Sequence, residues 1–295
     1  MELRHLRYFV AVVEAQSFTK AAERLHIAQP PLSRQIQDLE SQLGLLLLDR
    51  SSRPLKPTPA GQFFYQHAKR LLAQTEEVQA MTKRVASDEK IINIGFVGSL
   101  LFGLLPQVIY EFRQCMPTIK INLIEMGTVE QLDALKKGEI DVGFGRLHTS
   151  DASIKRLFLK AERLSLAVHK NHSLAQKTEG VYLTEIVNEL LFLYPQSDTA
   201  SFASHVLSIL TEAGLDPKET RVVREVQLAL GFVASGRGVC IVPESVDSIA
   251  LTDLCYIPIL DHIAYSPVYV SVRQMDENVI VQALIDNVAQ IYGGA

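Results

Sequence analysis

Four polar side chains in one stretch have the types and spacing to read a DNA duplex. In Phe18 to Leu43, FTKAAERLHIAQPPLSRQIQDLESQL, apolar Leu32, Ile36, Leu39 and Leu43 recur at i, i+4, i+7 and i+11, the period of a helix with one buried side. Gln29, Ser33, Arg34 and Gln37 then fall on the outward side near its start. Amide, hydroxyl and guanidinium groups placed there reach base edges and phosphates in a major groove. A different chemistry is possible at two later turns, Gly98-Ser99 and Gly127-Thr128, each between a strand-like and a helix-like segment. Such a turn sets a hydroxyl beside free backbone N–H groups at a positive helix end, which suits a carboxylate. The same hydroxyls also have a purely structural use as helix caps, and Thr128 with Gln131 has capping-box spacing. Gln196-Ser197-Asp198-Thr199, ahead of Phe202, is a third turn of this kind.

Catalytic constellations are weak. Gly143-x-Gly145 is followed by His148 where a dinucleotide-binding loop needs glycine. No G-x-S-x-G elbow surrounds Ser99, and there is no phosphate-binding Walker loop. His169 and His172 have a spacing a metal uses, but no supporting Cys/His/Asp cluster accompanies them. An enzyme with an α/β domain is the less supported alternative.

The elements that position the DNA-reading side chains are legible around them. Leu3, Leu6, Phe9, Val10 and Val13 mark a first helix, and Ser17 is placed to cap a second carrying Ala21, Ala22 and Leu25. His26 to Pro30 breaks the period, Pro31 suits a first helical position, and Gly44 stops the helix. Leu45 to Pro57 then predicts a strand, a turn at Ser51 to Pro54 and a return strand, a wing whose Arg50, Arg53 and Lys56 face backbone or minor groove. Thr58-Pro59 opens a helix running to about Ser87. Phe64, Leu71, Val78 and Val85 recur every seven residues along it, with Ala68, Thr75 and Thr82 between. A helix of about 30 residues, roughly 45 Å long, calls for a partner, and a second copy of the chain is the simplest.

From Lys90 the pattern alternates. Strands are expected at 91–97, 119–126, 140–144, 164–168, 190–193, 221–226, 239–242 and 268–272, with helices at 99–113, 128–137, 202–213, 228–234 and 279–292. Alternation of this kind implies parallel sheets, in one large sheet or two smaller lobes, with ligands beyond the carboxyl ends of the strands.

Whole-chain composition bounds these readings. The 295 residues are 47% hydrophobic and 21% charged, ordinary for a globular protein of two or more domains. Apolar runs fall far short of the roughly 18 residues a membrane span needs, and the start of the chain lacks a secretory apolar core. Three cysteines at wide spacing fit a reducing cytoplasm. Net charge is −4, but residues 1–88 hold 12 Lys/Arg against 9 Asp/Glu, while the remainder holds 17 against 24. A basic head on an acidic body is expected if only the first part meets phosphate.

These residues resemble a known family. The motifs SFTKAAERL, AQPPLSRQI, LE-x-x-LG and T-x-AG in the first 61 residues, and ASGRGVCIVP at 234–243, are similar to the LysR-type transcriptional regulators over the entire chain. The resemblance implies an α plus α/β protein: a winged helix-turn-helix (1–58), a linker helix that dimerises (59–89), and a two-lobed effector-binding domain like the periplasmic binding proteins (90–295; lobe I about 90–161 and 266–295, lobe II about 162–265). It further implies Gln29, Pro30, Pro31, Ser33, Arg34 and Arg53 against an inverted-repeat operator, a homodimer or homotetramer, and contact with RNA polymerase. GFVGSLLFGLLP (95–106), EMGT (125–128), GFGRL (143–147) and REVQLALGFVASG (224–236) look like the muconate-responsive activators of catechol and benzoate degradation. That likeness implies no cofactor, only a small carboxylate inducer, cis,cis-muconate or, as the alternative, an aromatic acid or another dicarboxylate, in a cleft lined by Gly98, Ser99, Leu100, Leu105, Thr128, Pro195 and Phe202. Arg146 and Lys160 would belong to a second, benzoate-type pocket, with Lys160 standing where a benzoate-responsive member has arginine.

Overall fold

The structure, a computed structural model, describes residues 1–85, 90–149 and 151–293. The chain forms two compact units, Met1–Ala86 and Ser87–Ala295.

The first unit begins with α1 (Leu3–Ala15), α2 (Phe18–Arg24) and α3 (Gln29–Leu43). Ser17 caps α2 by accepting the Lys20 N–H, and Gly44, at φ 67°, ends α3 in the left-handed conformation. Helix α3 starts at Gln29, so the break is shorter than the sequence predicts and the prolines occupy its second and third positions. Neither costs a hydrogen bond, because the first four N–H groups of a helix have no partner within it. The core is Phe9, Val12, Ala21, Ala22, Leu32, Ile36 and Leu39 with Leu47 and Leu48 from the wing. Leu3 and Leu43, expected inside, are exposed. The wing pairs β1 (Leu48–Asp49) with β2 (Lys56–Pro57), antiparallel.

Helix α4 (Pro59–Val85) follows, its start fixed by Thr58, whose hydroxyl accepts the Gly61 N–H. Of its expected heptad positions, Phe64 packs edge-on against Phe9 and Ala68 is buried, while Leu71 and Val78 are exposed. The side chain of Val85 and the whole of Ser87 lie outside the described residues.

The second unit is a mixed α/β structure, not the parallel one that alternation implies. In chain order it comprises β3 (Ile91–Phe96), α5 (Leu105–Cys115), β4 (Lys120–Glu125), α6 (Thr128–Lys136), β5 (Val142–Gly145) and β6 (Ile154–His169). It continues with β7 (Leu190–Leu193), α7 (Phe202–Glu212), β8 (Glu219–Val222), α8 (Val226–Ala234), β9 (Val239–Pro243), β10 (Leu254–Pro258), β11 (Tyr265–Arg273) and α9 (Val279–Gly293). The sheet order is β4-β3-β5-β11-β6-β9-β7-β8, with β10 also on β6.

Strand β6 makes the two lobes. Its first half, Ile154 to Arg163, pairs antiparallel with β11; from Leu164 it pairs instead with β9, and from Ser165 with β10. Sequence alone finds only residues 164–168 of this strand and misses β10. It also places a strand at 221–226, where β8 ends at Val222 and α8 already begins at Val226. Lobe I encloses Ile92, Ile94, Phe96, Phe112, Phe144, Val270 and Leu284; lobe II has its own core around Leu166, Phe192, Leu230 and Ile241.

A buried ion cluster locks lobe I. The Arg273 guanidinium donates to Asp141 (3.0 Å), Asp276 (2.6 Å) and the carbonyls of Leu135 and Ile140 (3.2 and 2.7 Å). Asp141 in turn accepts the Asn93 N–H, tying β11 to β3 through the start of β5.

Candidate functional site

On the first unit, Gln29, Pro30, Pro31, Arg34 and Gln37 are exposed along α3 and Ser33 is half-buried beside them. Arg53 is exposed at the wing tip. Arg50 is used differently from the expectation that it faces DNA. Its guanidinium donates to Glu40 at 2.9 Å and lies over the Phe18 ring. Glu40, 5% exposed, also accepts the N–H groups of Leu47 and Leu48. Arg50 therefore neutralises a buried carboxylate that holds the wing to α3, while Arg34 and Arg53 form no ion pair among the described residues.

On the second unit, a cleft of about 870 Å³, open mouth included, lies between the lobes. Val97, Gly98, Ser99, Glu125, Gly127, Thr128, Arg146 and Leu147 line it from lobe I, and Tyr194, Pro195, Ser201, Phe202 and Arg224 to Gln227 from lobe II. Three helices start at its wall: α6 after Gly127, α7 after Ser201 and α8 after Glu225. Each presents first-turn N–H groups without intrahelical acceptors, so the cleft carries partial positive charge from both lobes.

Sequence logic needs two corrections here. Ser99 does not begin an α-helix; Gly98–Phe102 is a single 3-10 turn, and α5 starts only at Leu105, after Gly103 breaks the path. Nor does Thr128 cap α6. The Glu130 carboxylate caps it by accepting the Gly127 N–H at 3.0 Å, while buried Gln131 donates to the carbonyls of Met126 and Phe144. Thr128 is thereby free for another use. Its hydroxyl lies across the end of β5, where Gly145 leaves room (a Cβ there would come within 2.8 Å of it), and accepts the Arg146 N–H at 3.2 Å.

Arg146 organises the site. Its Nε donates to the Ser99 hydroxyl at 2.8 Å, and its Nη1 pairs with Glu162 at 2.6 Å, both side chains being less than a tenth exposed. Glu162 accepts the Ser245 N–H of lobe II at 2.7 Å, so the pair also bridges the lobes. Two consequences follow. The Arg146 charge is already neutralised, and the other charged residues lining the cleft are Arg224 against Glu125 and Glu225, so the cleft is not strongly cationic. And both hydroxyls accept from Arg146; neither donates to another group among the described residues, so each has its proton to offer. Polarised by a guanidinium and a peptide N–H, they are strong donors to an anion.

The other expected residues are distributed unevenly. Gly98, Ser99, Thr128, Pro195 and Phe202 come together in the cleft. Leu105 does not; it is fully buried in the lobe I core, because its helix begins six residues later than predicted. Leu100 and Lys160 line a neighbouring pocket with Glu162, Glu244, Ser245, Val268 and Tyr292. Burial pushes the Tyr292 phenol up to about 12, keeping it a donor. Arg146, expected in that second pocket, lines the cleft and reaches the pocket's wall through Glu162 and Ser245. Glu162, Ser245 and Tyr194 carry no sequence signal and were not anticipated; Arg224 opens the REVQLALGFVASG stretch but was not placed in the cleft by it. Among the described residues no three His, Cys, Asp or Glu side chains gather as metal ligands, and His172 instead lies 3.4 Å from Glu189.

A winged helix-turn-helix and a two-lobed unit with an anion-receptive cleft define a class of protein: DNA-binding regulators that sense a small molecule. Residues 3–62 match the bacterial regulatory helix-turn-helix protein, lysR family, and residues 86–291 the LysR substrate binding domain. The chain belongs to the LysR family of DNA-binding transcriptional regulators and is not an enzyme. It is 56% identical to the HTH-type transcriptional regulator BenM of Acinetobacter baylyi over 293 residues, 99% of this chain and 96% of BenM. It is 42% identical to CatR of Pseudomonas putida, covering 98% and 99% of the two chains. Full-length BenM superposes with a TM-score of 0.68 at 55% identity, covering 100% of this chain and 97% of that one. The BenM effector binding domain with its effector benzoate gives 0.67 at 50% identity, over 70% of this chain and 94% of that one. CbnR complexed with its target DNA gives 0.63 at 31% identity, over 99% and 100%. No helix among the described residues is long and apolar enough to cross a membrane.

Proposed function

We propose that the protein is a cytoplasmic activator of genes for breakdown of aromatic compounds such as catechol and benzoate, and that it answers to cis,cis-muconate in the interlobe cleft. The observation that carries this is the pair of Ser99 and Thr128 hydroxyls, both acceptor-loaded by Arg146, beside three helix N-termini. A dicarboxylate has two charges to place, and donors on both lobes hold them without a free buried cation. Kinship with BenM and CatR supports the reading. Ligand held by both lobes favours their closed arrangement, which biases how a homodimer or homotetramer sits on an inverted-repeat operator and meets RNA polymerase. Exposed Leu71 and Val78 on α4 support assembly with a second copy.

A second effector class, aromatic monocarboxylates, is favoured by the Lys160–Tyr292 pocket and by the benzoate that BenM's effector domain binds. There Lys160 supplies a charge and Tyr292 a donor hydroxyl.

The reading is tested by footprinting the full chain on the promoter DNA beside its own gene, with and without muconate. A changed footprint is the expected outcome; an unchanged one, at saturating muconate, contradicts it. Arg34→Ala tests the DNA reader separately. It is expected to weaken specific binding and to reduce the slope of log affinity against log salt by about 0.9, one phosphate contact. An unmoved slope would take Arg34 off the backbone.

A further inference from the structure

The 3-10 turn Glu244–Ser248 ties lobe II to the Arg146–Glu162 pair: the Ser245 N–H donates to Glu162, and Arg146 Nη2 approaches the Ser245 hydroxyl at 3.5 Å. Asp247 sits in this turn. Its Oδ2 accepts the Ser165 hydroxyl at 3.0 Å, while Oδ1 is buried without a hydrogen-bond partner. No ion pair joins Asp247 to a cation among the described residues. The charged groups that face the turn are Glu162 and Lys160 on β6, Glu244 in the turn itself, and Arg146 at the end of β5, whose charge Glu162 has already taken. Tyr256 on β10 and Cys240 on β9 also face it, both kept protonated by burial. The adjoining Gly98–Phe102 turn contributes no titratable group.

A carboxylate with one supporting hydrogen bond, an orphaned oxygen and two acidic neighbours is poorly served in its charged form. We propose that Asp247 is a proton-operated switch in the turn that couples the lobes. Ionised, it sets a third carboxylate near Glu162 and Glu244 and loosens the Ser245–Glu162 tie; protonated, it lets that tie hold. Burial, then Glu244 and Glu162, push its carboxyl up to about 6, so the switch operates just below neutrality. The sign follows. An acid whose folded value lies above its unfolded one of about 3.9 takes up a proton on folding between the two, so stability rises as pH falls from about 6 toward about 4. The added negative charge also opposes an anion held beside Arg146. That second consequence rests on the cleft's taking carboxylates.

The test is amide exchange of the full chain between pH 5 and 8, corrected for intrinsic rate and read over residues 244–248. In the native chain exchange is expected to quicken about threefold as Asp247 ionises, the scale of one extra charge in a partly hydrated site. Asp247→Asn, close in shape, is expected to be slow and flat across the range. Ser165→Ala keeps the carboxyl but removes its one support, and should move the midpoint up by about half a pH unit. A flat native profile, a pH dependence that survives Asp247→Asn, or an unmoved midpoint in Ser165→Ala overturns the switch. Muconate titrations at pH 5.5 and 7.5 read the cleft: binding about threefold weaker at the higher pH, and equal in Asp247→Asn, is expected. Equal native affinity at both values overturns the coupling to the cleft. Muconate that binds at neither pH refutes the effector reading alone, since the exchange data judge the switch without ligand.

Discussion

Arg273→Met is expected to lower the unfolding free energy of the effector-binding unit by about 3–5 kcal/mol, the cost of leaving buried charges without their partner. Asp141 and Asp276 are 1% and 7% exposed, and one guanidinium serves both together with the carbonyls of Leu135 and Ile140. Methionine fills most of the volume but returns none of these hydrogen bonds. Urea unfolding of the full chain, followed by tyrosine emission and far-ultraviolet dichroism, measures the loss. A decrease below about 1 kcal/mol would mean that the acids find water and that the cluster is no lock. The replacement is far from the cleft, so ligand affinity in the surviving folded fraction should be unchanged.

Ser99→Ala combined with Thr128→Val is expected to weaken muconate binding about a hundredfold. In the proposed complex each hydroxyl would donate to a charged carboxylate, an interaction of about 1.5–3 kcal/mol, and the two together span two orders of magnitude or more. The valine keeps the shape that Gly145 accommodates, and the alanine leaves the Gly98–Phe102 turn intact. Thr128 also holds the Arg146 N–H, so the unliganded variant should melt slightly lower. DNA affinity without ligand separates the roles. If it is retained while the response to muconate is lost, the hydroxyls belong to the effector site; if both vanish, they only support the fold.

How much of this was legible follows from the range of the interactions involved. The DNA-binding unit is written in local signals: a helical period, a capping Ser17, a stopping Gly44 and a turn rich in serine and proline. Even there Arg50 misled, because its partner Glu40 gives no sign in the sequence of being buried. In the second unit Ser99 and Thr128 were found, since strand-to-helix turns are local. Their roles were not. Glu130 and Gln131 are adjacent, and only the structure shows that the glutamate caps α6 while Thr128 turns to Arg146. Strand β6 escaped because its first half, KRLFLKAER, is mostly polar and its pairing with β11 shifts register opposite Val268 and Tyr269, so it keeps no single alternation. The Arg146–Glu162 bridge joins two strands through sheet register, which no spacing along the chain announces. Leu105, carried over by resemblance, falls in the lobe I core instead of the cleft, because the helix starts six residues later than the sequence suggests.

The central claim is that the interlobe cleft takes a dicarboxylate through hydroxyls and helix ends, the buried Arg146 being already paired with Glu162. Its most direct test is the thermal melt of the full native chain against cis,cis-muconate. At about 100 times the dissociation constant the account predicts a stabilisation of about 2.7 kcal/mol, absent from the Ser99→Ala/Thr128→Val chain at the same concentration. An unmoved melting curve in the native chain, or an equal shift in the doubly substituted one, would contradict it.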